Sequence, residues 1–321
     1  MSKYRNNLPQ LSSGIFLSDG GLETTMVFHE GIDLPHFAAF DLMRTVAGRQ
    51  TLLGYYRRHA TVAARHGAGF ILESATWRSS PDWGAKLGYS AAALDAVNRE
   101  AVEMLFAVRD EFERPGAPIV VSGNVGPRGD GYRPDGFMSA DEAEAYHAAQ
   151  IASFEAAGAD MICAMTMNYA NEATGIVRAA RRAAMPVAIA FTVETDGRLP
   201  SGQTLAEAIA EVDTVTDGYA GYFMVNCAHP DHFRHVLAGD GGWRQRIWGV
   251  RANASRRSHK ELDEATELDA GDPVELGQDY RRLRRLLPNL RVLGGCCGTD
   301  HRHIEAIALA CVAAHPGIRA A

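Results

Sequence analysis

The chain has 321 residues, 46% of them hydrophobic and 22% charged, with a formal net charge of −7. This is the composition of a globular protein with enough apolar residues for a large core, and the mild negative charge argues against nucleic acid or an anionic membrane as a partner. Met1 to Leu11 is polar and lacks the apolar core of a signal peptide, and no apolar run approaches the ~20 residues of a membrane span. Five cysteines, two of them adjacent, fit a reducing cytoplasm better than a secreted disulfide framework.

Short apolar runs bounded by turn residues alternate with helix-like segments, the pattern of a parallel βα sheet. In chain order the predicted strands are 14–18, 70–74, 119–122, 161–165, 187–192, 221–226, 247–251 and 291–294. Asp19-Gly20-Gly21-Leu22 follows the first of them but lacks the G-x-G-x-x-G spacing of a dinucleotide turn. Ser139 reads as the cap of a helix running to Ala157 with Gly158 as its stop, Thr204 opens a capping box ahead of the apolar run to Val212, and Thr299 to Ala314 reads as the closing helix. Arg281, Arg282, Arg284 and Arg285 read as one solvated helix face. Eight strands with intervening helices predict the α/β class and a single closed (β/α)8 TIM barrel domain over residues 1–321. Two connections, 124–138 and 252–278, are long for βα loops. Both follow a strand, so both should rise over the C-terminal face of the barrel, where active sites of this fold sit.

Chemistry concentrates at strand ends. Val225-Asn226-Cys227 closes the sixth strand and Gly294-Gly295-Cys296-Cys297-Gly298-Thr299 closes the eighth. Three thiols converging from two strands can hold one soft divalent metal, zinc above all, and leave its fourth position open for catalysis. Adjacent cysteines point to opposite faces of an extended strand, so both reach one ion only if the backbone bends, which the flanking glycines permit. The bland reading is three small buried hydrophobes, and a vicinal Cys296–Cys297 disulfide is the oxidation product to expect after metal loss. Cys163 and Cys311 read as core. His229, His232, His301 and His303 follow the cysteines closely and are candidates for an outer contact or a fourth ligand, although such histidines are more often merely exposed. Asp19 is a candidate to hold a substrate ammonium group or else to cap a helix. Trp77 is a candidate aromatic face for a cationic methyl donor, and Glu73 is either functional or half of an ion pair inside the barrel.

With these residues in place the chain resembles the homocysteine S-methyltransferase family over nearly its whole length. The resemblance rests on Asp19–Thr24, Gly123–Pro127, Phe191–Glu194, Gly197–Gly202, Val225–Cys227 and Gly294–Thr299, the last two together being the specific ones. It implies a (β/α)8 barrel with Zn2+ bound by Cys227, Cys296 and Cys297. It also implies that Asp19 contacts the amino acid substrate, that backbone amides at Ala75, Thr76 and Trp77 receive its carboxylate, and that Asn226 and Asn253 carry the family's asparagines. One departure stands out: where the family has Glu-Thr at the end of strand four, with the glutamate binding the substrate ammonium group, this chain has Met165-Thr166.

The expected function is therefore a cytoplasmic zinc-dependent methyltransferase. It would move a methyl group from a sulfonium donor, S-methylmethionine or S-adenosylmethionine, to a small-molecule thiol, homocysteine by default, giving methionine. No catalytic residue is expected beyond the metal site. A different small thiol or selenol as acceptor, a non-catalytic zinc or thiol sensor closed by His229 or His301, and a homo-oligomer all stay open, as does dependence on a separate corrinoid protein.

Overall fold

The computed structural model describes residues 2–12, 14–134, 136–239 and 241–312. Eight parallel strands close into a barrel in chain order, each hydrogen-bonded to the next and the last to the first. They are β1 Phe16–Ser18, β2 Gly69–Glu73, β3 Ile119–Val125, β4 Met161–Met167, β5 Val187–Phe191, β6 Tyr222–Asn226, β7 Ile247–Ala252 and β8 Val292–Gly295. Seven longer helices pack outside: α1 Val46–His66, α2 Ala91–Phe112, α3 Ala140–Ala157, α4 Ala170–Arg182, α5 Leu205–Thr216, α6 Pro273–Leu286 and α7 His301–Cys311. Between β6 and β7 the described residues form only the short helix Pro230–Phe233 and two 3-10 turns, so helices fill that gap less completely than the alternation predicts. None of the described helices is long and apolar enough to cross a membrane.

The helix signals act as read. Ser139 and Thr204 each close a capping box, and Gly158 ends α3 in the left-handed region that a residue without Cβ adopts freely. Helix α5 runs past Val212 to Thr216, where Asp217 takes the left-handed cap. Helix α7 starts at His301, capped by Asp300, and ends at Cys311 with Val312 already extended, so it is shorter at both ends than the predicted 299–314; Ala314 itself lies outside the described residues. The arginines at 281, 282, 284 and 285 do face solvent.

Strand alternation sorts the core into two parts. One face of the strands packs against the helices, and the other fills the barrel interior with Phe16, Ile71, Val120, Met161, Cys163, Met165, Tyr222, Met224 and Val292. Cys163 and Cys311 are core residues, as their flanking sequence indicates. β3 and β4 run beyond their predicted ends to Val125 and Met167. β4 does so through an irregularity between Ala164 and Met167, where Thr166 has φ +63°. That kink keeps the strand paired with β5 while turning its end over the barrel mouth.

Candidate functional site

The last turn of the barrel is built by backbone threaded through backbone. Gly295 N donates to Asp19 O, Gly21 N to Thr299 O, Cys296 N to Ala252 O and Ala254 N to Cys297 O, all at 2.8–3.0 Å. This locks the ends of β1, β7 and β8 together. Close approach explains most of the glycines. A Cβ on Gly20 would lie 2.7 Å from Thr299 O, one on Gly294 would collide with Ser18 Oγ, and one on Gly295 with Thr299 Oγ1. Only Gly298 in this stretch uses positive φ, so Gly294 and Gly295 are required for space and not for the bend.

Cys227, Cys296 and Cys297 are brought together at the mouth, each offering a sulfur, all within 4.8 Å of one another. Cys227 Sγ and Cys297 Sγ are 3.8 Å apart. Tetrahedral zinc with ~2.3 Å bonds to sulfur needs about this edge length, so the donor set fits a thiophilic ion. Of the three sulfurs, Cys227 Sγ and Cys296 Sγ approach one another most closely, so the oxidation product this geometry favours runs across the mouth and is not the vicinal bridge expected from the sequence. Metal binding therefore requires this pair in the reduced state.

Cys227 is held in place by strain and donors. Its φ of +54° is uncommon for a residue with Cβ and costs about 1–3 kcal/mol. Its carbonyl accepts from His259 Nε2 at 2.6 Å and Asn253 Nδ2 at 3.1 Å. The His259 ring stacks on Tyr132 with centroids 4.0 Å apart, and Tyr132 donates its hydroxyl to Cys227 Sγ at 3.2 Å. Tyr132 and His259 come from the two long loops. The length of those loops marks them as functional, but no local pattern singles out either residue.

The histidines singled out by proximity go elsewhere. His232 reaches Arg256 O, His303 reaches Asp300 and Ala270 O, and His229 faces Asp231 and Asp279. His301 packs edge-on against His59. Among the described residues no histidine, aspartate or glutamate joins the three sulfurs as a fourth ligand.

Below the sulfurs lies a cavity of about 610 Å³, counting the space open to solvent, lined by Asp19, Trp77, Met165, Asn226 and the three cysteines, and also by Glu23, Glu73, Asn124, Tyr132 and Arg251. Of the residues expected to touch substrate, Ala75, Thr76 and Asn253 do not line it. Ala75 and Thr76 are buried, with Thr76 Oγ1 donating to Asn124 O, and Asn253 serves the Cys227 carbonyl. Asn226 lines the cavity, but its amide is taken on both sides by Thr166, accepting from its N–H and donating to its Oγ1 at 2.9 Å each.

Asp19 is not a free carboxylate. It pairs with Arg251 of β7 at 2.7 Å, both side chains under a tenth exposed, and accepts from Tyr55 at 2.9 Å. It caps no helix: the following helical turn has Gly21 as its cap and no side-chain bond. Among the described residues Glu73 makes no ion pair, so the alternative of a barrel-interior ion pair for it does not hold. Burial pushes its carboxyl up to about 7, with Arg251 only partly opposing. Burial raises Glu23 in the same direction, although that residue is partly open to the cavity. The Trp77 ring carries the Arg78 guanidinium 4.6 Å from its centroid, so a cation already sits against the indole.

The sequence profile of the homocysteine S-methyltransferase family matches residues 16–311. No curated protein matches the chain. Among solved structures it is similar to the Escherichia coli homocysteine methyltransferase MmuM. The metallated form of that enzyme has 19% identity and a TM-score of 0.70, over 93% of this chain and 96% of that one. Its oxidized form has 18% identity and a TM-score of 0.72, over 96% and 99%.

Proposed function

The chain belongs to the homocysteine S-methyltransferase family and is a methyltransferase; from that premise we propose that it methylates the thiol of homocysteine, giving methionine, with Zn2+ held by Cys227, Cys296 and Cys297. We take the donor to be a sulfonium, S-methylmethionine or S-adenosylmethionine, and the site of action to be the cytoplasm, where the three thiols stay reduced. We take residues 1–321 to act as one domain. The observation that carries this reading is the group of three sulfurs at the mouth of a cavity, with no fourth protein ligand among the described residues. That the E. coli enzyme has metallated and oxidized forms is in keeping with it.

Zinc held there would supply a Lewis acid that keeps a substrate thiol ionised near neutral pH. The chain's own residues do the rest. Tyr132 hydrogen-bonds the Cys227 sulfur and softens its charge, while His259 and Asn253 fix the Cys227 backbone so that the sulfur does not turn away. The thiol proton leaves to solvent. The substrate sulfur then attacks the methyl carbon as the donor's carbon–sulfur bond breaks, so a neutral thioether departs and no side chain is needed as a base. The acidic cavity, with Glu23 and Glu73 beside the Asp19–Arg251 pair, favours a cationic donor over a neutral one.

Mass spectrometry of a panel of small thiols and selenols against S-methylmethionine, S-adenosylmethionine and betaine, with reduced zinc-loaded protein, tests the proposal. Methionine formed from homocysteine and a sulfonium is the expected product. Turnover that survives complete chelation, or no methylated product from any pair, overturns it.

A further inference from the structure

Beyond the general attraction of an acidic cavity for a cationic donor, methyl transfer to sulfur gives no specific partner to two polar atoms of this cavity, one on Glu73 and one on Arg251. Glu73, at the end of β2, is 5% exposed, and its Oε2 is buried with no hydrogen-bond partner among the described residues. Arg251, on β7, places Nη2 on Asp19 and Nε on Gly295 O, and its Nη1 is buried with no partner among the described residues. Both residues line the same cavity. An unmet carboxylate oxygen and an unmet guanidinium nitrogen in one enclosed space are expensive to keep apart from water unless a ligand satisfies both.

We propose that Glu73 and Arg251 are the receptor for the zwitterionic head of an α-amino acid thiol, Glu73 taking the ammonium group and Arg251 Nη1 the carboxylate. The other candidates are occupied or chemically unsuited. Asp19 is neutralised by Arg251, the Asn226 amide is bound to Thr166, and Met165 offers only a thioether where the resemblance leads one to expect a carboxylate. Asn124 Oδ1, on the strand between β2 and β4, is buried without a partner in the same cavity and gives the ammonium group a second acceptor. Glu23 comes two residues after Gly21, whose backbone packs against Cys296 so closely that a Cβ there would lie 2.6 Å from Cys296 O, and it belongs to the sulfur end of the cavity. The ammonium contact is thus carried on the second strand in place of the fourth, and a side chain, not the backbone amides after β2, reads the carboxylate. This rests on the thiol-binding function above.

The test is thiol binding to cobalt-substituted protein, followed by the shift of the metal's visible spectrum. Four thiols are used: homocysteine, 4-mercaptobutanoate without the ammonium group, 3-aminopropane-1-thiol without the carboxylate, and 1-propanethiol with neither. Glu73→Gln is expected to weaken homocysteine and 3-aminopropane-1-thiol about 10- to 100-fold, the range of a lost charge-assisted hydrogen bond, and the other two less than about twofold. Arg251→Lys, which keeps the charge beside Asp19 but loses the fork, is expected to weaken homocysteine and 4-mercaptobutanoate selectively. Equal effects on all four thiols, or the ammonium-selective loss appearing in Glu23→Gln instead, overturn the receptor while leaving thiol binding intact. If no thiol shifts the spectrum of the cobalt-loaded protein that carries neither mutation, the thiol-binding function falls and the receptor with it.

Discussion

Replacing Arg251 by Met should expose how the floor of the barrel is held. The substitution keeps most of the aliphatic volume but removes the cation 2.7 Å from Asp19 and the donors to Gly295 O and Gly20 O. Asp19 is left with the Tyr55 hydroxyl as its side-chain partner in a space where its side chain is 5% exposed. Breaking a buried pair from one side costs about 3–5 kcal/mol, because the remaining charge is uncompensated. An unfolding entropy of ~2.1 cal/mol/K per residue over 321 residues gives about 0.7 kcal/mol per degree. The Tm should therefore fall by about 4–7 °C. Calorimetry on reduced protein, checked by urea unfolding followed with two optical probes, measures it. The double variant Arg251→Met with Asp19→Asn should recover at least half of the loss, since no charge is then stranded. A loss under about 1 kcal/mol, or a double variant no better than the single, would show that Asp19 is not neutralised by Arg251 and that the charge balance of the cavity is misassigned.

The remaining expectations are narrower. Glu73 has a carboxyl raised to about 7 against an unfolded value near 4.5, so the folded ligand-free protein holds a proton that the unfolded chain releases. That contribution is complete below about pH 4.5 and is lost as pH rises to about 7. Urea midpoints across that window should fall, with a shallower slope in Glu73→Gln. Asp300 caps α7; burial opposes its charge, but hydrogen bonds from His303 and Arg302 prevail and hold it well below the usual carboxylate range. Asp300→Ala should cost about 0.5–2 kcal/mol at neutral pH. That cost should disappear as pH falls through and below the ordinary carboxylate range, where the native protein loses the same contribution, as read by chemical denaturation at each pH. Chelated protein left in air should lose methyl transfer and form a Cys227–Cys296 cross-link, identifiable by peptide mass spectrometry. Reductant with zinc should restore activity and reductant alone should not; a vicinal Cys296–Cys297 cross-link in its place would contradict the geometry of the mouth.

What the chain discloses before folding depends on whether the cause is local. The eight strands are legible because each is a short apolar run between turn residues, and the capping boxes at Ser139 and Thr204 are complete within four positions. The three cysteines are legible because barrel geometry gathers strand ends, whatever their separation along the chain. Asp19 is visible as a strand-end carboxylate, but its partner Arg251 is six strands away, and no periodicity connects them. Tyr132 and His259 sit in long irregular loops where no pattern fixes a side chain, although loop length alone marks those segments as functional. Proximity in sequence misleads at His229, His232, His301 and His303. Each follows a cysteine closely, yet the turns after β6 and β8 carry all four away from the sulfurs. Gly294 and Gly295 are readable as special positions, but their reason, the approach of Ser18 and Thr299, exists only in the closed barrel.

X-ray absorption at the zinc edge of reduced protein, before and after addition of homocysteine, tests the central claim most directly. A metal site built on Cys227, Cys296 and Cys297 with an open position should show one ion with three sulfur neighbours near 2.3 Å. Homocysteine should raise the count to four. A first shell that already holds four protein ligands and does not change with homocysteine, or full zinc retention in Cys296→Ala, would contradict it.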